Sequence, residues 1–159
     1  MEFLACLDWQ KAQEVVAQAL TTVEEEEAVE LLAATGRVTA ADILAQEDLP
    51  PFARSTVDGY AVRSADTFGA SEAAAALLEV AGEIHMGREA GFALEPGQAA
   101  AIPTGGMLPV GADAVVMLEY AEQPDGRTFL VQEKAAPNEE VLTQGDDVAR
   151  GAGRVEPRG

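Results

Sequence analysis

Apolar residues recur at helical spacing only near the start of the chain. Trp9, Ala12, Val15, Val16, Ala19 and Leu20 fall near i, i+3, i+4 and i+7, which predicts an amphipathic helix over residues 9–20. Asp8 stands where an N-cap is expected. Thr21, Thr22 and the acidic run 24–27 interrupt this helix, and four like charges in a row read as a solvated segment. Residues 30–34 predict a second, short helix with Gly36 at its C′ position. Residues 38–45 read as extended, or as a helical turn into a strand. Beyond that the spacing changes. Residues 60–62, 77–84, 98–102 and 112–118 are short alternating or continuous apolar runs, the mark of strands. The alanine-rich 72–78 is ambiguous by propensity. Residues 119–123 and 128–132 flank Pro124-Asp125-Gly126-Arg127 and predict a hairpin. Val141-Leu142 leads to a turn at Gly145-Asp146-Asp147. No internal repeat shows. Helices before Ala40 and strands from Gly59 to Gln132 give an α+β fold, with a boundary near residues 46–51.

The chain has 159 residues, enough for one ordinary domain or two small ones. Aromatics are only 5%, so the core must rest on Ala, Val and Leu, and fifteen glycines with eight prolines favour short strands joined by turns. The net charge is −18, and the ten Lys and Arg residues are scattered. Nucleic acid and anionic membranes both need concentrated positive charge, so neither is expected as a partner. Cys6 is the sole cysteine, which rules out an intrachain disulfide and a thiolate metal cluster. The start lacks a basic n-region and no apolar run is long enough to span a bilayer. A soluble, cytoplasmic protein is expected.

The densest chemistry lies in Pro50-Pro51-Phe52-Ala53-Arg54-Ser55-Thr56-Val57-Asp58-Gly59-Tyr60-Ala61-Val62. The prolines stiffen the approach. Asp58-Gly59 is a strong turn signal, because glycine accepts positive φ. The segment is either a tight hairpin turn whose polar groups serve the backbone, or a rigid loop that presents Asp58 to a ligand with Ser55 and Thr56 beside it. Arg54, in so acidic a chain, is expected to hold a carboxylate such as Asp58 rather than to bind substrate. A second loop, Pro103-Thr104-Gly105-Gly106, joins two apolar runs. Its adjacent glycines allow an anion-binding concavity of backbone N–H groups, with the Thr104 hydroxyl as a further donor; an ordinary loop is the alternative. No P-loop lysine accompanies it. Asp58, Asp146 and Asp147 sit on glycine-bearing turns, and their oxygens suit magnesium, although each also serves as a turn residue. His85 reads as an exposed loop residue without a second histidine to share a metal. Asp113 and Glu119 flank a buried strand and read as structural.

The central stretch resembles the signature of the MoeA/gephyrin-E family, the molybdopterin molybdenumtransferases. Ile102-Pro103-Thr104-Gly105-Gly106-Met107-Leu108-Pro109-Val110-Gly111-Ala112-Asp113-Ala114-Val115-Val116-Met117-Leu118-Glu119 resembles the same family's second signature. Gly145-Asp146-Asp147-Val148 is similar to its third. Thr35-Gly36-Arg37-Val38 and Ala41-Asp42-Ile43 resemble its opening pattern. The resemblance implies a β-rich domain of short twisted strands, residues 49–146, inserted into a small mixed α/β domain of residues 27–48 and 147–159, behind an N-terminal helical segment, residues 1–26. It further implies nucleotide-fold (MogA-like) and C-terminal domains beyond this chain, whose last residues are expected to trail off with no closing element. The implied activity is insertion of molybdate-derived molybdenum into adenylylated molybdopterin, with Mg2+, in a homodimer. A non-catalytic scaffold of the same family is the alternative. By resemblance Asp58, Thr104 and Asp147 are catalytic, Ser55, Thr56, Gly105 and Gly106 bind substrate, and Asp58 and Asp147 are candidate metal ligands. Two positions depart from the pattern. Val57 replaces the usual methionine. Leu142, Thr143 and Gln144 stand where relatives carry one or more arginines, so a pyrophosphate-bearing ligand lacks that charge here.

Overall fold

The computed structural model describes residues 7–21 and 25–155. Cys6, Thr22 and the first glutamate of the acidic run lie outside them. Contacts divide the chain into two compact units, one of residues 1–43 with 155–159 and the other of residues 44–154.

In the first unit, α1 (Trp9–Ala19) forms where the apolar spacing predicts it, with Asp8 at the N-cap. The Asp8 side chain makes no capping bond. A single 3-10 turn follows at Leu31–Ala33, and Arg37 pairs with Glu27. Neither helical element buries a residue. Trp9, Val15, Val16, Leu20, Leu31 and Leu32 are all exposed.

The second unit is built on one mixed sheet. Its strands are β3 (Gly59–Val62), β4 (Ala76–Glu83), β5 (Gln98–Ile102), β6 (Ala114–Met117), β7 (Ala121–Glu122) and β8 (Thr128–Val131), in the order β6-β3-β5-β4-β8-β7. All neighbours are antiparallel except β4 and β5, which run parallel. Alternation sends Tyr60 and Val62 to one face, with Leu78, Val116, Phe129 and Val131. Ala61 goes to the other, with Ile84, Ala100, Ile102 and Val115. Loop residues Phe92, Leu94 and Leu108 close that second face. Burial on both faces explains why β3 and β6 read as continuous apolar runs rather than as alternation. Scarce aromatics are concentrated: the Tyr60 and Phe129 rings meet at 4.0 Å between centroids.

Four further short strands lie outside the six-stranded sheet: β1 (Ile43–Leu44), β2 (Arg54–Ser55), β9 (Val141–Leu142) and β10 (Gly153–Val155). β2 pairs with β9, not with β3, so the 50–62 stretch is not a hairpin; it passes from one sheet to the next. Nor do residues 148–155 trail off; the last four residues of the expected tail lie outside the described residues. Ala45 and residues 151–152 exchange backbone bonds, and β10 follows as the partner of β1.

Gly59 departs from its sequence reading. It is not among the positive-φ glycines and begins β3 instead of closing a turn. Glycine is required by proximity, since a Cβ there would lie 2.0 Å from the Val116 carbonyl oxygen.

Candidate functional site

The strand register brings three loops to one end of the sheet. Gly59 pairs with Ile102 and with Met117, which sets Asp58 beside the loop after β5 and beside Leu118. Parallel pairing of β4 with β5 sends the loop after β4 to the same end. Asp58 and Thr104 meet there. Asp58 Oδ1 accepts the Thr104 backbone N–H at 2.7 Å and the Thr104 hydroxyl at 2.9 Å. The backbone bond first, then the hydroxyl, holds the Asp58 carboxyl below the ordinary carboxylate range against a small opposing effect of desolvation. Its other oxygen, Oδ2, accepts no hydrogen bond from the described residues. Both side chains are exposed. The result is an ionised carboxylate with one oxygen fixed and the other open to solvent.

Most other polar groups of these loops are tied to the protein. Gly105 N–H donates to the Ser55 carbonyl and Gly106 N–H to the Pro103 carbonyl, both at 2.8 Å. With Thr104 N–H on Asp58, no concavity of free amides forms, and the ordinary-loop alternative holds for these amides. Ser55 is buried, and its hydroxyl donates to the Val57 carbonyl. Thr56 is bonded to Glu140 twice, through its N–H and through its hydroxyl. Arg54 departs from expectation most clearly: no ion pair engages it among the described residues, and Thr104 occupies the carboxylate it was expected to hold. Asp113 is structural as read, accepting the Ser64 N–H and hydroxyl at 2.6 and 2.8 Å.

Asp147 is placed by other bonds. Its N–H donates to the Leu49 carbonyl at 2.9 Å, while Gly145 N–H donates to the Pro50 carbonyl, so the third motif docks on the start of the first. Asp48, which the sequence did not single out, organises this junction. Its carboxylate accepts the Arg150 N–H at 2.7 Å and Gln144 Nε2 at 2.8 Å. Gln144 thus serves the scaffold at a position where resembling proteins carry charge. The Arg150 amide chiefly, then Gln144, holds Asp48 below the usual carboxylate range. A depressed pKa contributes stability that is complete above the unfolded-state value and lost as pH falls through the native one. The melting temperature of Asp48→Asn should therefore lie furthest below the parent's at neutral pH. That gap should close as pH falls below about 4. A gap unchanged from pH 7 to pH 2.5 would show that the Asp48 charge is not its source.

As a metal site the arrangement is sparse. Among the described residues no three His, Cys, Asp or Glu side chains converge. Magnesium, however, is commonly held by one or two carboxylates together with substrate phosphates and waters, and Asp58 Oδ2 is a donor of that kind.

The chain is similar to known proteins over most of its length. The family described as MoeA N-terminal region (domain I and II) matches residues 7–157. A molybdopterin molybdenumtransferase of Nostoc sp. is 40% identical over 112 residues, covering 70% of this chain and 26% of that protein. Molybdopterin molybdenumtransferase 2 of Mycobacterium tuberculosis is 37% identical over 142 residues, covering 89% and 35%. A crystal structure of the molybdopterin biosynthesis MoeA protein of Pyrococcus horikoshii superposes with a TM-score of 0.86 at 33% identity, over 96% of this chain and 40% of that one. The chain thus spans about a third of the length of the curated relatives it matches. The α+β architecture is that of these proteins, and the chain belongs to the MoeA family, as its N-terminal region.

Proposed function

We propose that this region supplies one wall of a site that inserts molybdenum from molybdate into adenylylated molybdopterin. The family membership supports the role in molybdenum cofactor biosynthesis. The Asp58–Thr104 pair carries the finer reading. Thr104 fixes Asp58 Oδ1 and favours its charged form, leaving Oδ2 free on an open surface. Such a group fits a cleft whose opposite wall comes from elsewhere. Asp58 would hold magnesium there, and a bound magnesium would neutralise substrate phosphates. Asp147 is proposed as a second acidic member of the wall. Ser55, Thr56, Gly105 and Gly106 shape it: their bonds within the protein fix the loops that carry Asp58 and Thr104. A homodimer is proposed as well, supported by the bare apolar side of α1, where Trp9, Val15, Val16 and Leu20 are exposed.

A chimera tests the reading. This chain replaces the matched region of the Mycobacterium tuberculosis relative, and the product is given adenylylated molybdopterin, magnesium and molybdate. The chimera is expected to form active cofactor, and the 159-residue chain alone to form none above a no-protein control. A folded, dimeric chimera without activity would oppose the assignment.

A further inference from the structure

Positive charge is scarce in this protein, and where it stands free is informative. Arg63 lies 3.9 Å from Asp66, and Arg37 pairs with Glu27. Among the described residues Lys11, Arg54, Arg88, Arg127, Lys134 and Arg150 have no ion pair, and of these Arg54 and Arg88 come from segments joined to the Thr104 loop. Arg54 lies on β2, where its neighbours bond directly to the Thr104 loop: Ser55 N–H donates to the Gly106 carbonyl, and Gly105 N–H to the Ser55 carbonyl. On a strand, successive side chains point to opposite faces. Ser55 points into the protein and is 2% exposed, while Arg54 takes the other face and is half-buried.

Arg88 arrives from β4. Ile84 N–H donates to the Ala101 carbonyl at 2.8 Å, so the chain leaves β4 alongside the end of β5. It then turns at once, with Arg88 N–H donating to the His85 carbonyl at 3.3 Å and Gly87 at φ 72. Met86, inside that turn, lies over the Thr104 loop: a Cβ on Gly105 would come 3.4 Å from Met86 Cε. The turn 85–88 is therefore in contact with the loop that holds Asp58, and Arg88 is exposed at its end.

We infer that Arg54 and Arg88 flank the Asp58–Thr104 pair as the two cationic contacts for a diphosphate group, with Met86 seating the turn that carries Arg88. The inference rests on the proposed adenylylated substrate, whose diphosphate would lie against this wall. Three observations support it. The positions 142–144 carry no arginine, and Gln144 is bonded to Asp48. The amides of residues 104–106 are bonded within the protein, so anion recognition falls to side chains. A guanidinium left without a carboxylate partner in a chain of net charge −18 has its planar donors free for phosphate oxygens.

The test is binding, independent of cofactor formation. Inorganic pyrophosphate, with magnesium, is titrated into the 15N-labelled chain at fixed ionic strength while amide shifts are followed. Shifts are expected at residues 54, 86–88 and 104–106. Arg54→Ala/Arg88→Ala should weaken binding at least about tenfold, the usual scale for losing charge-assisted hydrogen bonds. Arg54→Lys/Arg88→Lys should recover part of it. Arg63→Ala, past the opposite end of β3, should bind as the parent does. Equal binding by the double alanine variant, equal loss in Arg63→Ala, or no binding by the folded parent would each overturn the inference. An active chimera with no such loss would refute this inference alone. Pyrophosphate binding that depends on both arginines, with an inactive chimera, would refute the insertion reading and leave the diphosphate contacts standing. Molybdate in place of pyrophosphate is the control for a general oxyanion site, and equal affinity for the two would refute a diphosphate-specific arrangement.

Discussion

Gly59→Ala is expected to be the most destabilising single change in the sheet. The added Cβ would stand 2.0 Å from the Val116 carbonyl oxygen, 2.9 Å from its carbon and 3.1 Å from Met117 Cα. All three are backbone atoms of β6, so no side chain can swing aside. Relief requires β3 and β6 to separate at the Gly59–Met117 pair. β3 has no slack for that, since all four of its residues are buried between β6 and β5. Overpacking of a tight core costs about 1–3 kcal/mol, occasionally more, and a clash against immovable backbone belongs at or above the top of that range. A loss of at least about 3 kcal/mol lowers the melting temperature of a chain this size by roughly 6–12 °C. Gly91→Ala is the matched control, because a Cβ there meets nothing within 4 Å and its φ is not positive. It should melt within about 2 °C of the parent. If the two variants melt together, close packing is not the reason for glycine at position 59.

The same residue shows where the sequence is legible and where it is not. Asp-Gly is a local signal for a turn, and nothing within a few residues of Gly59 records that β6 will lie against it. The strands themselves were readable: β5 and β8 fall within a residue of their expected bounds. Apolar runs identify a buried strand wherever it pairs. The order β6-β3-β5-β4-β8-β7 leaves no such trace, because pairing depends on partners far apart in sequence. The site divides in the same way. Residue types marked Asp58 and Thr104 as candidates, but their direct bond spans 46 positions and emerges only from the register of β3 with β5. Asp48 gave no signal at all, since its two partners lie 96 and 102 positions away. The 104–106 loop had two readings, and the ordinary loop holds: a glycine pair allows a concavity of free amides, but Ser55 and Pro103 offered carbonyls first. Arg54 was assigned a carboxylate by charge alone, whereas a hydroxyl and an amide already aimed at Asp58 won that position.

Asp58→Asn separates the two roles that this loop can have. Asparagine keeps an oxygen where Oδ1 now accepts the Thr104 N–H and hydroxyl, so both bonds that fix the loop survive. The exposed position has no packing to disturb. The melting temperature is therefore expected to stay within about 3 °C of the parent. What changes is Oδ2, which becomes an NH2 group: the negative charge and the open acceptor are lost together. In the proposed role that oxygen faces magnesium or a reacting group, and its removal should lower cofactor formation by the chimera at least about 100-fold, the scale of losing a charged catalytic contact. The parent's pH profile gives an independent check. Thr104 holds the carboxyl below its ordinary range, so Asp58 stays ionised throughout neutral and mildly acidic pH. Its acid limb should therefore lie below the range in which an ordinary aspartate titrates. Thr104→Val removes the hydroxyl bond and keeps the backbone one, so it should move that acid limb upward without abolishing activity. Parental activity in a folded Asp58→Asn chimera would sink the catalytic assignment and leave Asp58 as the acceptor that secures the Thr104 loop.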